Sequence, residues 1–380
     1  MRIGVIGCGK ISGIYFKNLT RLPNTEVVRC ADLDVERAKA CAAEHGVPAA
    51  GTVEDLLADP AVELVVNLTI PIAHVEVGLA AVRAGKHVYA EKPLALTAAD
   101  GATLLAEAHR AGVRVGSAPD TFLGAGVQTV RTLLDEGAIG TPLSGAVFML
   151  SPGHERWHPA PDFYYQPGGG PLFDMGPYYL TALVNLLGPV AAVSAVAGRG
   201  FPTRRTPAGR EIPVEVPTHV SAVLEFAAGA TVTAIFSFDV PASTIPHGIE
   251  IYGSTGTIVL DDPNHFGGPV LTRGRDDAGW REEPLRTPWS TDSRGIGVAE
   301  MVAGIEEGRA HRASAALAFH VLDVMETIHT AAERGARLPV RSTTERPLPL
   351  ADRERDVVLA PAHQGAGLGA GGAQRVRDRD

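Results

Sequence analysis

Cysteine is scarce in this chain of 380 residues: Cys8, Cys30 and Cys41 are the only three, all in the first quarter and without CxxC spacing. An odd number in that arrangement argues against a disulfide framework or a thiolate metal cage, and fits small buried residues in a reducing compartment. Long apolar runs are missing as well, none approaching the ~18 residues that would span a bilayer. Positive charge is in deficit, with 34 Lys and Arg against 43 Asp and Glu. A net charge of -9 argues against nucleic acid or an anionic membrane as the main partner. Met1-Arg2 passes directly into Ile3-Gly4-Val5-Ile6, without a signal-peptide layout, so a cytoplasmic, soluble protein is expected. No internal repeat, heptad pattern, P-loop or Ser/His/Asp arrangement stands out.

What is present has the rhythm of an α/β protein. Apolar runs at 2–6, 26–31, 64–67, 87–90 and 114–117 alternate with helical patterns at 11–21, 35–45, 72–84 and 97–111. That alternation implies right-handed crossovers and a parallel sheet covered on both faces. After Ser117 a helix at 122–137 is followed by longer β-type runs at 143–150, 190–197, 220–226, 231–238, 249–252 and 257–260. Glycine or proline separates most of them, as turns in an antiparallel sheet require, and Gly253-Ser254-Thr255-Gly256 suits a tight hairpin. Helices return at 297–307 and 314–334. The expected division is a dinucleotide-binding domain over 1–120, an α+β substrate and oligomerisation domain over 121–350, and a glycine- and alanine-rich tail over 351–380 too poor in apolar residues to order itself.

Four stretches carry chemistry. Gly7-Cys8-Gly9-Lys10-Ile11-Ser12-Gly13 closes the first strand and opens the first helix, where a dinucleotide pyrophosphate binds. Asp32 ends the second strand, where a carboxylate accepts from ribose hydroxyls and repels a 2′-phosphate, favouring NAD over NADP. Asp34 is an alternative contact, Arg37 could soften the preference, and Asp32 could instead simply cap the next helix. Glu91-Lys92-Pro93 follows the fifth strand, on the side of the sheet where open α/β proteins bind ligands. Gly168-Gly169-Gly170-Pro171 leads into Asp174 and Tyr178, four residues apart and on one face if the stretch is helical. Pro177 is expected to kink that turn or to delay the regular helix past it.

His154-Glu155-Arg156-Trp157-His158 matches the zinc-protease pattern HExxH, but Pro159 pushes His158 away from helical geometry, so no metal site is assigned. The segment reads as a loop whose Trp157, His158, Phe163 and Tyr164 either wall the site, where flat aromatic faces suit sugar rings and His154 or His158 could reach hydroxyls, or form an aromatic-rich interface. Asp120 and His247 are weaker candidates, while His320 and His329 suit a core or surface role.

Together the GxG loop, Asn67-Leu68-Thr69-Ile70-Pro71 with His74, Glu91-Lys92-Pro93 and the triple glycine with its Asp resemble the glucose–fructose oxidoreductase/inositol dehydrogenase (Gfo/Idh/MocA) family over residues 1–345. The resemblance implies a Rossmann domain joined to a domain with a large, mostly antiparallel sheet, and hydride transfer between nicotinamide and a sugar or polyol carbon. It carries Lys92, Asp174 and Tyr178 onto catalytic positions. Gly7, Gly9, Lys10, Ile11, Asp32, Asn67, Thr69, Pro71, His74, Glu91 and Lys92 fall on the cofactor side, with Trp157, His158, Tyr164 and Asp174 on the substrate side. Most members carry His where this chain has Tyr178, so the expected mechanism makes Tyr178 the general acid–base, its pKa lowered by Lys92, with Asp174 orienting the substrate. A homodimer or homotetramer is implied. Two other readings share these residues: a redox-neutral glycoside-cleaving or epimerising enzyme that recycles NAD, and a non-catalytic NAD-binding sensor.

Overall fold

The first sheet of the computed structural model, which describes residues 1–350, is wholly parallel. Its elements run β1 (Arg2–Ile6), α1 (Ser12–Leu19), β2 (Glu26–Ala31), α2 (Val35–His45), β3 (Ala49–Gly51), α3 (Val53–Ala58), β4 (Leu64–Asn67), α4 (His74–Arg83), β5 (His87–Ala90), α5 (Ala98–Ala111) and β6 (Val115–Ser117). Strand order is β3-β2-β1-β4-β5-β6, so the direction of winding reverses between β1 and β4, the switch point at which such sheets bind ligands. Local chemistry sets the helix limits. Asp34 accepts from the Glu36 and Arg37 N–H groups to start α2, and Thr52 and Asp55 form a reciprocal capping box on α3. Val5, Leu64, Val65, Val66 and Val88 are buried in the sheet, as strands covered on both faces must be.

The chain then builds α6 (Ala125–Asp135), β7 (Pro142–Leu150), α7 (Gly170–Leu187), β8 (Val190–Gly198), a small hairpin β9 (Thr203–Arg205) and β10 (Glu211–Pro213), β11 (His219–Phe226), β12 (Thr231–Ser237), β13 (Gly248–Gly253), β14 (Gly256–Leu260), β15 (Val270–Gly274), β16 (Arg281–Glu283), α8 (Ile296–Glu306), α9 (Ala315–Arg334) and β17 (Leu338–Pro339). Nine of these strands form one sheet in the order β16-β15-β14-β13-β7-β12-β11-β8-β17. Every neighbouring pair is antiparallel except β7 with β12. The expected hairpin joins β13 to β14, with Tyr252 opposite Thr257. One face of the sheet packs on α7 and α9; the other leaves Val196 and Val223 exposed.

One expectation needs correction. Pro177 does not delay the helix, because α7 is continuous from Gly170 to Leu187 with Pro177 inside it. An internal proline costs about 3 kcal/mol, but nearly every side chain of α7 is buried, and that burial holds the turn in register. The triple glycine lets backbone pass close to backbone: a Cβ on Gly169 would lie 2.4 Å from the Phe163 carbonyl oxygen and 2.7 Å from that of Tyr164. The short elements β3, α3, β9, β10, β15, β16 and β17 were not anticipated. The tail expected over 351–380 lies outside the described residues.

Candidate active site

The β1–α1 loop is held from both sides. Gly7 turns at φ +100°, where a Cβ would stand 2.7 Å from the backbone C and O of Leu68, just past β4. Its N–H donates to the Ala31 carbonyl at 2.8 Å, and the Cys8 N–H donates to Asp32 Oδ2 at 2.8 Å. Asp32 Oδ1 accepts from the Asp34 N–H at 3.0 Å and lies 3.4 Å from Arg37 Nη1. Asp34, and not Asp32, therefore caps α2, which leaves Asp32 as the charge at the tip of β2. The N-terminus of α1 has no side-chain cap, and the space over Gly9 is open. Leu33, Ile70 and Ile72 stand exposed at the adjacent strand ends, Leu33 almost fully. Leu33, an apolar residue between Asp32 and Asp34, was a readable signal of an exposed apolar contact at this strand end.

Asn67 and His74 have a different place from the one expected. Asn67 is fully buried, donating to the His74 carbonyl at 3.0 Å and accepting from Thr69 Oγ1 at 2.7 Å. The His74 ring is wedged between the Pro93 carbonyl at 2.7 Å and the Thr69 carbonyl at 3.0 Å, and burial pushes it below the ordinary histidine range. Neither side chain keeps a polar edge for a ligand; together they brace the loops after β4 and β5. Thr69 and Pro71 sit in the braced loop, partly exposed.

Lys92 is the hub of the second cluster. Its Nζ donates to Asp174 Oδ1 at 3.0 Å and to the Asp174 carbonyl at 2.7 Å, and stands 5.1 Å from the centre of the Tyr178 ring. Glu91 accepts from the Tyr15 hydroxyl at 2.7 Å and from the Lys92 N–H at 3.0 Å, fixing the start of that loop. The other oxygen of Asp174, Oδ2, lies 3.0 Å from His154 Nε2. Burial alone would raise the Asp174 carboxyl, but Lys92 and His154 outweigh it and hold it at about 2. For Lys92, burial opposes the charge and is outweighed by Asp174, Tyr178 and Glu91, so the ammonium is held above its usual range. Tyr178 departs from expectation: burial raises its phenol despite the opposing pull of Lys92 and Arg294, so it does not approach neutrality. Arg294, from the loop before α8, carried no signal in the sequence.

The HExxH segment is not a two-histidine metal face. His154 is committed to Asp174, while His158 Nδ1 accepts from the Ala160 N–H at 3.1 Å. His154 lies in an aromatic setting, 4.3 Å from Tyr164, 4.5 Å from Phe238 and 5.2 Å from Trp157 between ring centres. Trp157 is more than half exposed and carries the Lys10 ammonium 5.4 Å from its ring centre, so the glycine loop and the aromatic loop meet over the cleft. A buried network backs this loop: Tyr165 accepts from the His154 N–H at 3.2 Å and donates to Glu155, which Arg204 Nη1 approaches at 3.3 Å.

Residues 1–118 match a family described as "Oxidoreductase family, NAD-binding Rossmann fold", and residues 127–259 match the GFO/IDH/MocA C-terminal domain. The dTDP-3,4-didehydro-2,6-dideoxy-α-D-glucose 3-reductase of Streptomyces violaceoruber is 32% identical over 83% of this chain and 91% of that relative. The chain belongs to the Gfo/Idh/MocA oxidoreductase family. Another Gfo/Idh/MocA relative, 1,5-anhydro-D-fructose reductase of Ensifer adhaerens, is 35% identical, but the match spans only 46% of this chain and about half (53%) of that protein. Among solved structures, levoglucosan dehydrogenase in complex with NADH and L-sorbose superposes with a TM-score of 0.78 over 90% of this chain and 99% of that one. Its identity of 21% makes it a likeness of fold.

NAD, the family's cofactor, fits the residues present. The uncapped α1 terminus, the open space over Gly9 and the carboxylate of Asp32 at the tip of β2 form the donor and acceptor set that a dinucleotide takes up. Among the described residues no helix is long and apolar enough to cross a membrane.

Proposed function

We propose that this protein transfers a hydride between NAD and a carbon bearing a hydroxyl or keto group in a sugar, polyol or sugar derivative. The observation that carries this reading is the hydrogen-bonded set of Lys92, Asp174 and His154, with Tyr178 against Lys92, beyond the carboxyl end of β5 in the cleft that the glycine loop enters. The names of the relatives, a sugar nucleotide reductase and an anhydrofructose reductase, agree with such a substrate. When bound, the nicotinamide supplies the hydride acceptor or donor. Lys92 keeps its proton and presents an N–H and a positive charge to the substrate oxygen. Asp174 holds Lys92 and His154 in place and stays ionised. Tyr178 remains a phenol through neutral pH and acts as a hydrogen-bond donor to the same oxygen, a revision of the acid–base role first expected of it.

A panel of inositols, hexoses, anhydrosugars and glycosides, followed at 340 nm with NAD and NADH, tests the reading. Release of an aglycone without NADH accumulation would support the redox-neutral alternative, and NADH binding without any turnover would support the sensor. Replacing Tyr178 with Phe should lower kcat/KM about 10- to 100-fold, as loss of one hydrogen bond to a developing charge predicts, without altering the shape of the pH profile between 6 and 9. A profile that loses a limb in this variant would return the acid–base role to Tyr178.

Asp32 is proposed as the group that selects NAD over NADP. Asp32→Asn keeps an acceptor for the Cys8 N–H while removing the charge, and leaves Arg37 beside the site. The ratio of NADPH to NADH dissociation constants should fall by about tenfold or more, since like-charge repulsion of the 2′-phosphate is lost. An unchanged ratio would refute the assignment. The exposed apolar residues Val196 and Val223 on the outer face of the large sheet support pairing through that face, in a homodimer or homotetramer. The acidic balance supports a small-molecule partner over nucleic acid, and the reduced cysteines support a cytoplasmic setting.

A further inference from the structure

We propose that His154, paired with Asp174, is the group that takes the substrate's hydroxyl proton on oxidation and returns it on reduction. The proposal rests on the hydride-transfer reading and adds to it a residue outside the Lys92, Asp174 and Tyr178 set. Asp174 is ionised and accepts at Oδ2, so the proton in the 3.0 Å contact sits on His154 Nε2. The neutral ring then carries its lone pair on Nδ1. That atom has no protein partner among the described residues, yet is not among the polar atoms sealed from solvent without a partner. A carboxylate on one ring nitrogen and an open lone pair on the other is the arrangement in which an imidazole serves as a base: the carboxylate fixes the tautomer and stabilises the imidazolium that forms.

A purely structural role accounts poorly for the pairing. The loop that bears His154 is already tied down by Tyr165, Glu155 and Arg204, and Asp174 is already held by two bonds from Lys92. The groups facing His154 are Asp174, with Lys92 and Tyr178 behind it on the α7 side, and Tyr164 and His158 from its own loop. Lys10 approaches from the glycine loop through Trp157, and Phe238 follows β12. Lys92 and Tyr178 are poor bases near neutral pH, the first held protonated and the second held as a phenol by burial. An imidazole with one ring nitrogen held by a carboxylate and the other free to accept is suited to that task. In the step itself the O–H bond breaks and its proton moves to Nδ1. Its electron pair forms the C=O bond as the carbon's hydride leaves to the oxidised cofactor, and the imidazolium keeps its Nε2–H on Asp174.

Two measurements test this. In wild-type protein, kcat/KM for substrate oxidation should fall with unit slope as the pH is lowered and the base becomes protonated. His154→Gln should lose that limb and drop about 10²- to 10⁴-fold at pH 7.5, with the NADH dissociation constant changed less than about twofold, as the cofactor cradle is untouched. A limb that persists in His154→Gln, or a rate within about threefold of wild type, overturns the proposal. The second readout needs neither cofactor nor turnover: long-range ¹H–¹⁵N correlation spectra of the cofactor-free protein. The His154 ring, identified by the change that Asp174→Asn produces, should when neutral be the Nε2–H tautomer and should lose that preference in Asp174→Asn. A wild-type Nδ1–H tautomer overturns the proposal even if His154→Gln does not fold. A protein that turns over no member of the panel would overturn the hydride-transfer reading, whereas the tautomer separately decides whether the pair exists.

Discussion

Replacing Lys92 with methionine should lower kcat/KM by about 10³-fold or more while leaving NADH affinity within a few-fold of wild type. The side chain keeps its length but loses the bonds to Asp174 Oδ1 and to the Asp174 carbonyl, and the charge beside the Tyr178 ring. Removing a preorganised donor aimed at a developing oxyanion typically costs 10²–10³ in rate. Here the same change also disturbs Asp174, because burial already opposes its ionisation and Lys92 is the leading counterweight. The acid limb of stability should respond too. Asp174 sits at about 2 in the folded protein, below the ~3.9 of an unfolded aspartate. Its pairing therefore contributes stability that is complete above pH ~4 and fades as the pH falls toward 2. In Lys92→Met that contribution shrinks or reverses sign, so the variant should lose about 3 kcal/mol at pH 7, as breaking one side of a buried pair does, and less at pH 3. Urea unfolding at the two pH values reads the difference. A variant with turnover within tenfold of wild type would remove Lys92 from the chemistry.

How much of this site was legible in the sequence depended on how local each signal was. The glycine loop, Asp32 and Lys92 each lie at the carboxyl end of a strand that announces itself by a short apolar run, so their placement followed from the strand. Asp174 and Tyr178 followed from a four-residue spacing, and α7 sets them on one helix. The chemistry assigned to Tyr178 did not follow, because it depends on burial, and burial is a property of the packed cleft. Asn67 and His74 failed for a related reason: the motif shows where they are but not that their polar atoms are spent on Thr69, Pro93 and each other. The pairing of His154 with Asp174 bridges 20 residues and two elements, with no periodicity to reveal it. Short strands such as Ala49–Gly51 and Arg281–Glu283 lack an apolar pattern and form only because a neighbouring strand edge is available. The large sheet was legible as alternating runs, but the parallel pairing of β7 with β12 was not, since partner choice is set by chain topology.

Alanine at Gly7 and at Gly9 should separate the fold of the nucleotide loop from its binding function. At Gly7 the backbone lies at φ +100°, a region that an alanine reaches at a cost of about 1–3 kcal/mol, and its Cβ would meet the Leu68 carbonyl carbon and oxygen at 2.7 Å and the Thr69 nitrogen at 2.9 Å. Those atoms are backbone, braced by the Asn67 and His74 network, so the strand cannot shift aside cheaply. Gly7→Ala should therefore destabilise the nucleotide-binding part of the chain by about 3 kcal/mol, and should weaken NADH binding more than 100-fold as the loop leaves its position. At Gly9 nothing lies within 4 Å of the added carbon, and its φ is outside the glycine-favouring region. Gly9→Ala should fold with a thermal midpoint close to wild type, yet still lose NADH affinity by about tenfold or more, because the methyl group occupies space over which a pyrophosphate approaches the backbone. Thermal unfolding and NADH fluorescence titration of both variants give the comparison. Equal loss of stability in the two would mean that the open space over Gly9 has a packing role; undiminished NADH binding by Gly9→Ala would mean that the dinucleotide does not lie against this loop.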